Sequence, residues 1–159
     1  MFICIWCEDL DRGIAKQNAI PWVNKIDLKL FKTLTLNHDV VMGKNTYLSL
    51  SKPLVHRNNI VFSRTLTKDL SYSEFHFRND LNNFINQHKN SKEVIYVIGG
   101  KAIYDAFIKY SKILVVSKLV DKYDCDLFMD NSFNDFKLFH FTSFDDFSNW
   151  IYVNKKVSL

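Results

Sequence analysis

The chain has 159 residues, 47% of them hydrophobic and 15% aromatic, and carries a formal net charge of +4 at pH 7. That supplies one domain with a full core, and no segment approaches the roughly 18–20 continuous apolar residues of a membrane span. The charge is mild and scattered, without the runs of about five or six like charges that mark a nucleic-acid tail, and neither a zinc-finger spacing nor an aromatic-basic ribonucleoprotein motif is present.

Residues 2–7 form a continuous apolar run, the pattern of a strand buried on both faces. The run meets Glu8-Asp9 at once and lacks a basic n-region and a cleavage site, so no signal peptide is expected. Cys4 and Cys7 have the spacing of a redox or zinc pair, but positions three apart on a strand face opposite sides, and no second pair completes a metal site. With Cys125 they read as reduced structural thiols, which points to the cytoplasm. Residues 8–24 are a polar loop of a length that is usually functional.

A helix is predicted over residues 26–36, where apolar residues recur at three- and four-residue steps. Asp27, Phe31 and Thr35 share one face of it, beside Leu28. Asp27 either favours the helix start, as a cap or through the dipole, or is a buried acid awaiting a cationic or hydrogen-bonding ligand.

Strands are expected at residues 39–42 and 59–62, with a short helix over 46–50 capped by Asn45 between them. A loop over 63–73 leads to a short strand at 74–77. Asn79 or Asp80 opens a helix through Leu81, Phe84 and Ile85. Residues 93–98 are the clearest buried strand, and Gly99-Gly100 turns directly into a helix over 101–109. A strand at 113–119 follows. Two β-rich segments, 136–144 and 150–157, separated by Asp145-Asp146 and Ser148-Asn149, read as an antiparallel pair at a sheet edge. The fold class is therefore α/β: a mostly parallel twisted sheet, helices on both faces and an antiparallel C-terminal edge hairpin, in one domain over 1–159.

In such a sheet ligands bind beyond the carboxyl ends of the parallel strands. Three exits suit phosphate: Gly43-Lys44-Asn45-Thr46, Ser63-Arg64-Thr65 and Gly99-Gly100-Lys101-Ala102. Backbone N–H groups after glycine, with Lys44 and Arg64 near, would meet an anion. Neither a Walker motif nor G-x-G-x-x-G is present. Glycine and proline are scarce, four and two, against about 11 and 8 expected from average usage. Those present mark positions where backbone geometry requires them.

The combination resembles the dihydrofolate reductase family in its short bacterial form. The resemblance rests on Ile14-Ala15 and Asn18-Ala19-Ile20-Pro21-Trp22, on Asp27-Leu28 with Phe31-Lys32, and on Val41-Met42-Gly43-Lys44-Asn45-Thr46-Tyr47. It continues through Pro53-Leu54-Val55-His56-Arg57-Asn58-Asn59, Val97-Ile98-Gly99-Gly100-Lys101-Ala102-Ile103-Tyr104 and Tyr123-Asp124-Cys125-Asp126, in the family's order across nearly the whole chain.

The resemblance implies NADPH-dependent reduction of 7,8-dihydrofolate to tetrahydrofolate, by hydride transfer to C6 and protonation at N5, and sensitivity to antifolates. It makes Asp27 the catalytic residue, holding the pterin's 2-amino and N3 edge with Ser117. Ile5, Cys7, Leu28, Phe31 and Ile98 would line the pterin slot, and Leu50 and Leu54 would pack on the aminobenzoyl ring. Arg57 would clamp the glutamate α-carboxylate with its planar fork, with Lys32 near. On the cofactor side, Ile14 and Ala19 would fix the nicotinamide amide, with Cys7 and Ile98 beside it. Thr46, Gly100, Lys101, Ala102 and Ile103 would hold the pyrophosphate, and Lys44, Ser63 and Arg64 the 2′-phosphate, with Gly43, Asn45, Gly99 and Tyr104 also in the cofactor site. The Gly99-Gly100 peptide would be cis. No metal, nucleic-acid or membrane partner is implied, and the chain would act as a cytoplasmic monomer.

The chain departs from the family pattern at Ala15 and Cys125, where glycine is usual, at Leu127, usually threonine, and at Lys25, often proline. These bear on loop motion and turnover rather than on the chemistry. Three other readings stay open at this level: a reductase of a pyrimidine intermediate in flavin synthesis, a non-catalytic pterin or nucleotide binder, and a basic RNA-binding module. Arg57 and the Asp27 face favour folate over the first.

Overall fold

Alternation along the first strand divides the core in two. In the computed structural model, which describes residues 1–129 and 133–157, β1 (Phe2–Glu8) sends Phe2, Cys4 and Trp6 into one apolar cluster and Ile3 and Ile5 into another. The chain continues through β2 (Gly13–Ala15), α1 (Lys25–Thr35), β3 (Asp39–Gly43), α2 (Lys44–Ser49), β4 (Asn58–Phe62), β5 (Phe75–Arg78) and α3 (Leu81–His88). It ends with β6 (Ile95–Gly99), α4 (Lys101–Phe107), β7 (Ser111–Leu119), β8 (Leu127–Phe128), β9 (Phe136–Ser143) and β10 (Phe147–Asn154).

Eight strands form one sheet in the order β5-β4-β3-β6-β1-β7-β10-β9. The first six are mutually parallel, and β10 pairs antiparallel with both β7 and β9. The expected antiparallel edge is thus present. Residues of α3 and α4, among them Phe84, Ile85, Ile103 and Phe107, pack in the first cluster. Phe31 and Leu34 of α1 and Tyr47 of α2 pack on the second. Helices therefore cover both faces, and burial of their apolar stripes against β-branched strand residues is the main stabilising term.

Four local expectations are corrected. Asn45 does not cap α2. The helix begins two residues earlier, with Gly43 at the cap position and no side-chain cap bond. The loop after β1 is not structureless, because β2 pairs with β8 in a separate two-stranded ribbon. β10 starts at Phe147, so Ser148 and Asn149 lie in the strand rather than in the turn. The α4 helix stops at Phe107 and tightens into a 3₁₀ turn, Ile108–Tyr110.

Candidate active site

The carboxyl ends of β3, β4, β6, β1 and β7 open onto one cleft of about 1350 Å³. A typical small-molecule site holds roughly 300–1,000 Å³, so this cleft has room for two ligands side by side. Every residue assigned to the substrate or cofactor site from the sequence lines it, from Ile5 and Cys7 to Tyr104 and Ser117. The structure also brings in residues that sequence reading did not assign, including Trp6, Asn18, Ile20, Leu30, Asn79, Asp105 and Asn149.

At one end stands Asp27. Its backbone is fixed by Asn24, whose Oδ1 accepts from the Asp27 N–H at 2.9 Å. Asn24 in turn donates through Nδ2 to Asp146 Oδ2 at 3.0 Å, which ties the start of α1 to the turn between β9 and β10. Asn24, not Asp27, is therefore the helix cap, and the Asp27 side chain is left for another role. Burial pushes the Asp27 carboxyl above the ordinary carboxylate range, opposed by hydrogen bonds from the Ser117 hydroxyl and the Cys7 thiol. Burial, with the Asp27 charge beside it, pushes the Cys7 thiol up as well. Leu28 is 56% exposed although apolar, and it faces the cleft together with Phe31 and Ile98. A carboxylate beside apolar walls suits a flat heteroaromatic ring with N–H donors along one edge. Above it, Tyr104 donates its hydroxyl to the Ile5 carbonyl at 2.8 Å, locking the strand end.

Further along the cleft Arg57 is anchored on three sides. Its Nε donates to Thr35 Oγ1 at 2.9 Å, and its two terminal nitrogens donate to the Val55 and Lys32 carbonyls at 3.1 and 3.2 Å. Asn59 fixes the loop that carries it, accepting from Leu54 N and donating to the Leu54 and Arg57 carbonyls. A guanidinium has five N–H groups, so two remain, one on each terminal nitrogen, in the fork that matches a carboxylate.

The other half of the cleft is built for an anion. Gly43 and Gly100 stand at the cap positions of α2 and α4 without side-chain acceptors, so first-turn N–H groups remain for a ligand. The Gly99-Gly100 peptide is cis, and Gly99 has φ +124, where a Cβ would meet Thr46 Oγ1 at 3.1 Å and the Tyr104 hydroxyl at 3.2 Å. Lys44 reaches Thr65 Oγ1 at 3.3 Å and, like Arg64, is exposed. The Ser63 hydroxyl accepts from the Thr65 and Leu66 N–H groups. The Lys101 ammonium is held by Asp105 at 2.8 Å, so what Lys101 offers a ligand is its backbone N–H.

The first loop closes over this floor. Asp126 N donates to the Ala15 carbonyl at 3.0 Å, and Asp126 Oδ2 accepts from Gln17 N at 2.8 Å. Ala15 and Leu127 do not interrupt this latch, because the ribbon of β2 and β8 is made by backbone groups.

A family model described as "Dihydrofolate reductase" matches residues 1–153. The dihydrofolate reductase of Ureaplasma parvum serovar 3 is 43% identical over 157 residues, covering 98% of this chain and 99% of that protein. A protein named segregation and condensation protein A from Mycoplasmoides gallisepticum is 40% identical over 148 residues, which are 92% of this chain but 25% of that longer one. Among solved structures, a dihydrofolate reductase from Enterococcus faecalis complexed with NADP(H) and RAB-propyl superposes with a TM-score of 0.86 at 19% identity, covering 98% and 97% of the two chains, a likeness of fold.

Proposed function

The chain belongs to the dihydrofolate reductase family, and on that premise we propose how its cleft performs the NADPH-dependent reduction of 7,8-dihydrofolate to tetrahydrofolate. Asp27 accepts from the 2-amino and N3 edge of the pterin, with Ser117 steadying the carboxylate. Ile5, Cys7, Leu28, Phe31 and Ile98 enclose the ring and exclude water. Leu50 and Leu54 pack on the aminobenzoyl group, and Arg57, with Lys32 near, takes the glutamate α-carboxylate.

The donor set at the other end fits a cofactor with several phosphates: uncapped first-turn N–H groups after Gly43 and Gly100, and the exposed cations Lys44 and Arg64. Lys44, Ser63 and Arg64 hold the 2′-phosphate. Gly43, Asn45, Thr46 and the run from Gly99 to Tyr104 hold the pyrophosphate region. Ile14 and Ala19 orient the nicotinamide amide beside Cys7 and Ile98. When bound, NADPH supplies the hydride. Asp27 orients the pterin and favours its N5-protonated form electrostatically, with water as the immediate proton donor.

The observation that carries this assignment is the Asp27 carboxyl itself, not used as a helix cap, raised by burial and held by donors at the apolar end of the cleft. The chain working as one domain over 1–159 is supported by the single sheet that takes strands from Phe2 to Asn154, and by the same unit forming a quarter of a longer relative. Among the described residues no helix is long and apolar enough to cross a membrane, and a cytoplasmic monomer is the state we propose. The test is the fall of NADPH absorbance with dihydrofolate and its block by a diaminopyrimidine antifolate. Turnover that the antifolate does not touch would remove Asp27 from the pterin site.

A further inference from the structure

Asp27 shares the cleft wall with Ser117 of β7, and Ser117 is hydrogen-bonded from the strand beside it. Asn149 Nδ2 donates to Ser117 Oγ at 3.1 Å, and hydrogen bonding from Ser117 is the largest influence that opposes the effect of burial on Asp27. Asn149 and Ser117 stand directly opposite each other in the antiparallel pair of β10 with β7. Both are buried, 7% and 3% exposed, and Asn149 reaches the wall of the cleft.

We propose that Asn149 is a positioning residue for the reaction: by donating to Ser117 it commits the one Ser117 hydroxyl proton to Asp27 and keeps that carboxylate an acceptor for the pterin edge. A hydroxyl has one proton and two lone pairs. An amide N–H on one lone pair leaves the proton free to point at Asp27, whereas an acceptor at position 149 would draw it the other way. Burial favours the neutral form of Asp27, and Ser117, oriented by Asn149, counters that preference. The inference rests on Asp27 being the pterin-facing acid.

The ionisable neighbours of this group are few. Cys7 on β1 bonds the carboxylate directly, and Glu8 on β1 acts electrostatically on Cys7. Cys7 in turn acts on Tyr104 of α4. Lys25 and Lys29 flank Asp27 on α1 and are exposed, and Asp146 reaches only its cap residue Asn24. None of these touches Asn149 in the hydrogen bonds described, so a change at 149 reaches Asp27 through Ser117.

The experiment is the pH profile of single-turnover hydride transfer at saturating NADPH and dihydrofolate for the wild-type chain, Asn149→Leu and Asn149→Asp. Leu removes the donor and roughly keeps the volume, and Asp keeps the shape but accepts where Asn donates. The apparent pKa of hydride transfer should rise by about one unit in both variants, with NADPH affinity unchanged. In a Ser117→Ala background Asn149→Leu should add no further shift. An unmoved profile with a uniformly lower rate would mean that Asn149 only braces the strand, and the proposal fails. It fails equally if the shift persists without Ser117, or if neither variant folds well enough to bind NADPH. Asp27→Asn run in parallel separates the two levels. If that variant keeps the wild-type profile, the assignment of Asp27 itself is lost. If it alone changes the profile, only the role of Asn149 is.

Discussion

At Arg57, three N–H groups are already bonded to Thr35, Val55 and Lys32, and it is the remaining fork that matters. Arg57→Lys cannot reproduce that geometry. It should weaken folate binding by about ten- to a hundredfold, the scale of a charge-assisted bond, and leave a pterin without the glutamate tail unaffected in fluorescence titration. Equal loss for both ligands would make Arg57 a brace for its loop. Lys44 is the corresponding test of the cofactor end. Lys44→Ala should raise the NADPH requirement by a similar factor and leave NADH use almost unchanged, and steady-state kinetics with the two cofactors reads the difference. Asp27 gives a prediction about stability. Burial holds its carboxyl above the ordinary value, so the folded chain binds that proton more tightly than the unfolded chain. The stability this contributes is present below the unfolded pKa, about 3.9, and is lost as pH rises through the raised folded value. Asp27→Asn should therefore melt higher than wild type at neutral pH, by roughly 2–4 °C for each kcal/mol relieved, and the gap should close in acid. A lower melting temperature at neutral pH would show that the ionised form is the one the fold prefers.

Between elements, the ribbon of β2 and β8 shows how a departure from the family pattern is accommodated. Cys125, which the sequence reading takes as a departure from an expected glycine, packs its side chain against Gly13, where an added Cβ would lie 2.3 Å from Cys125 Cβ and 2.6 Å from its Sγ. Asp9 completes the arrangement, accepting from the Asp11, Gly13 and Tyr123 N–H groups. Gly13→Ala should overpack this point by about 1–3 kcal/mol and slow hydride transfer by loosening the loop. Gly13→Ala with Cys125→Gly should recover much of both, in thermal melts and single-turnover kinetics. If the double variant is no better than the single, the close approach is not what fixes the loop. This pairing was beyond sequence reading, because a two-residue strand such as β8 carries no periodicity and its partner lies over a hundred residues away. The longer strands and α1 were legible, since burial on one or both faces leaves a period in the sequence. The start of α2 was misplaced by two residues because its cap is a glycine supplying no side-chain signal.

Across the whole molecule, the parallel strands direct their carboxyl ends to a single cleft, and that convergence makes scattered residues act together. Asp27, Arg57, Lys44 and the Gly99-Gly100 turn were legible because each stands at a strand exit, in a helix face or in a motif of fixed local spacing. Asn149 was not. Its meaning depends on the register that sets it opposite Ser117, and register between strands so distant in sequence is decided by tertiary packing. Ser148-Asn149 therefore reads as turn until β10 is seen to begin at Phe147. The same holds for Asn24, whose link to Asp146 joins the first helix to the last hairpin. All these contacts meet at Asp27, and the account depends on that carboxylate orienting the pterin and favouring its N5-protonated form. The direct measurement is pre-steady-state hydride transfer against pH for wild type and Asp27→Asn. The variant should be slower by about 10²–10⁴-fold at neutral pH, recover partly in acid where solvent protonates the substrate unaided, and keep wild-type affinity for NADPH. Hydride transfer by Asp27→Asn at the wild-type rate at neutral pH would contradict the account.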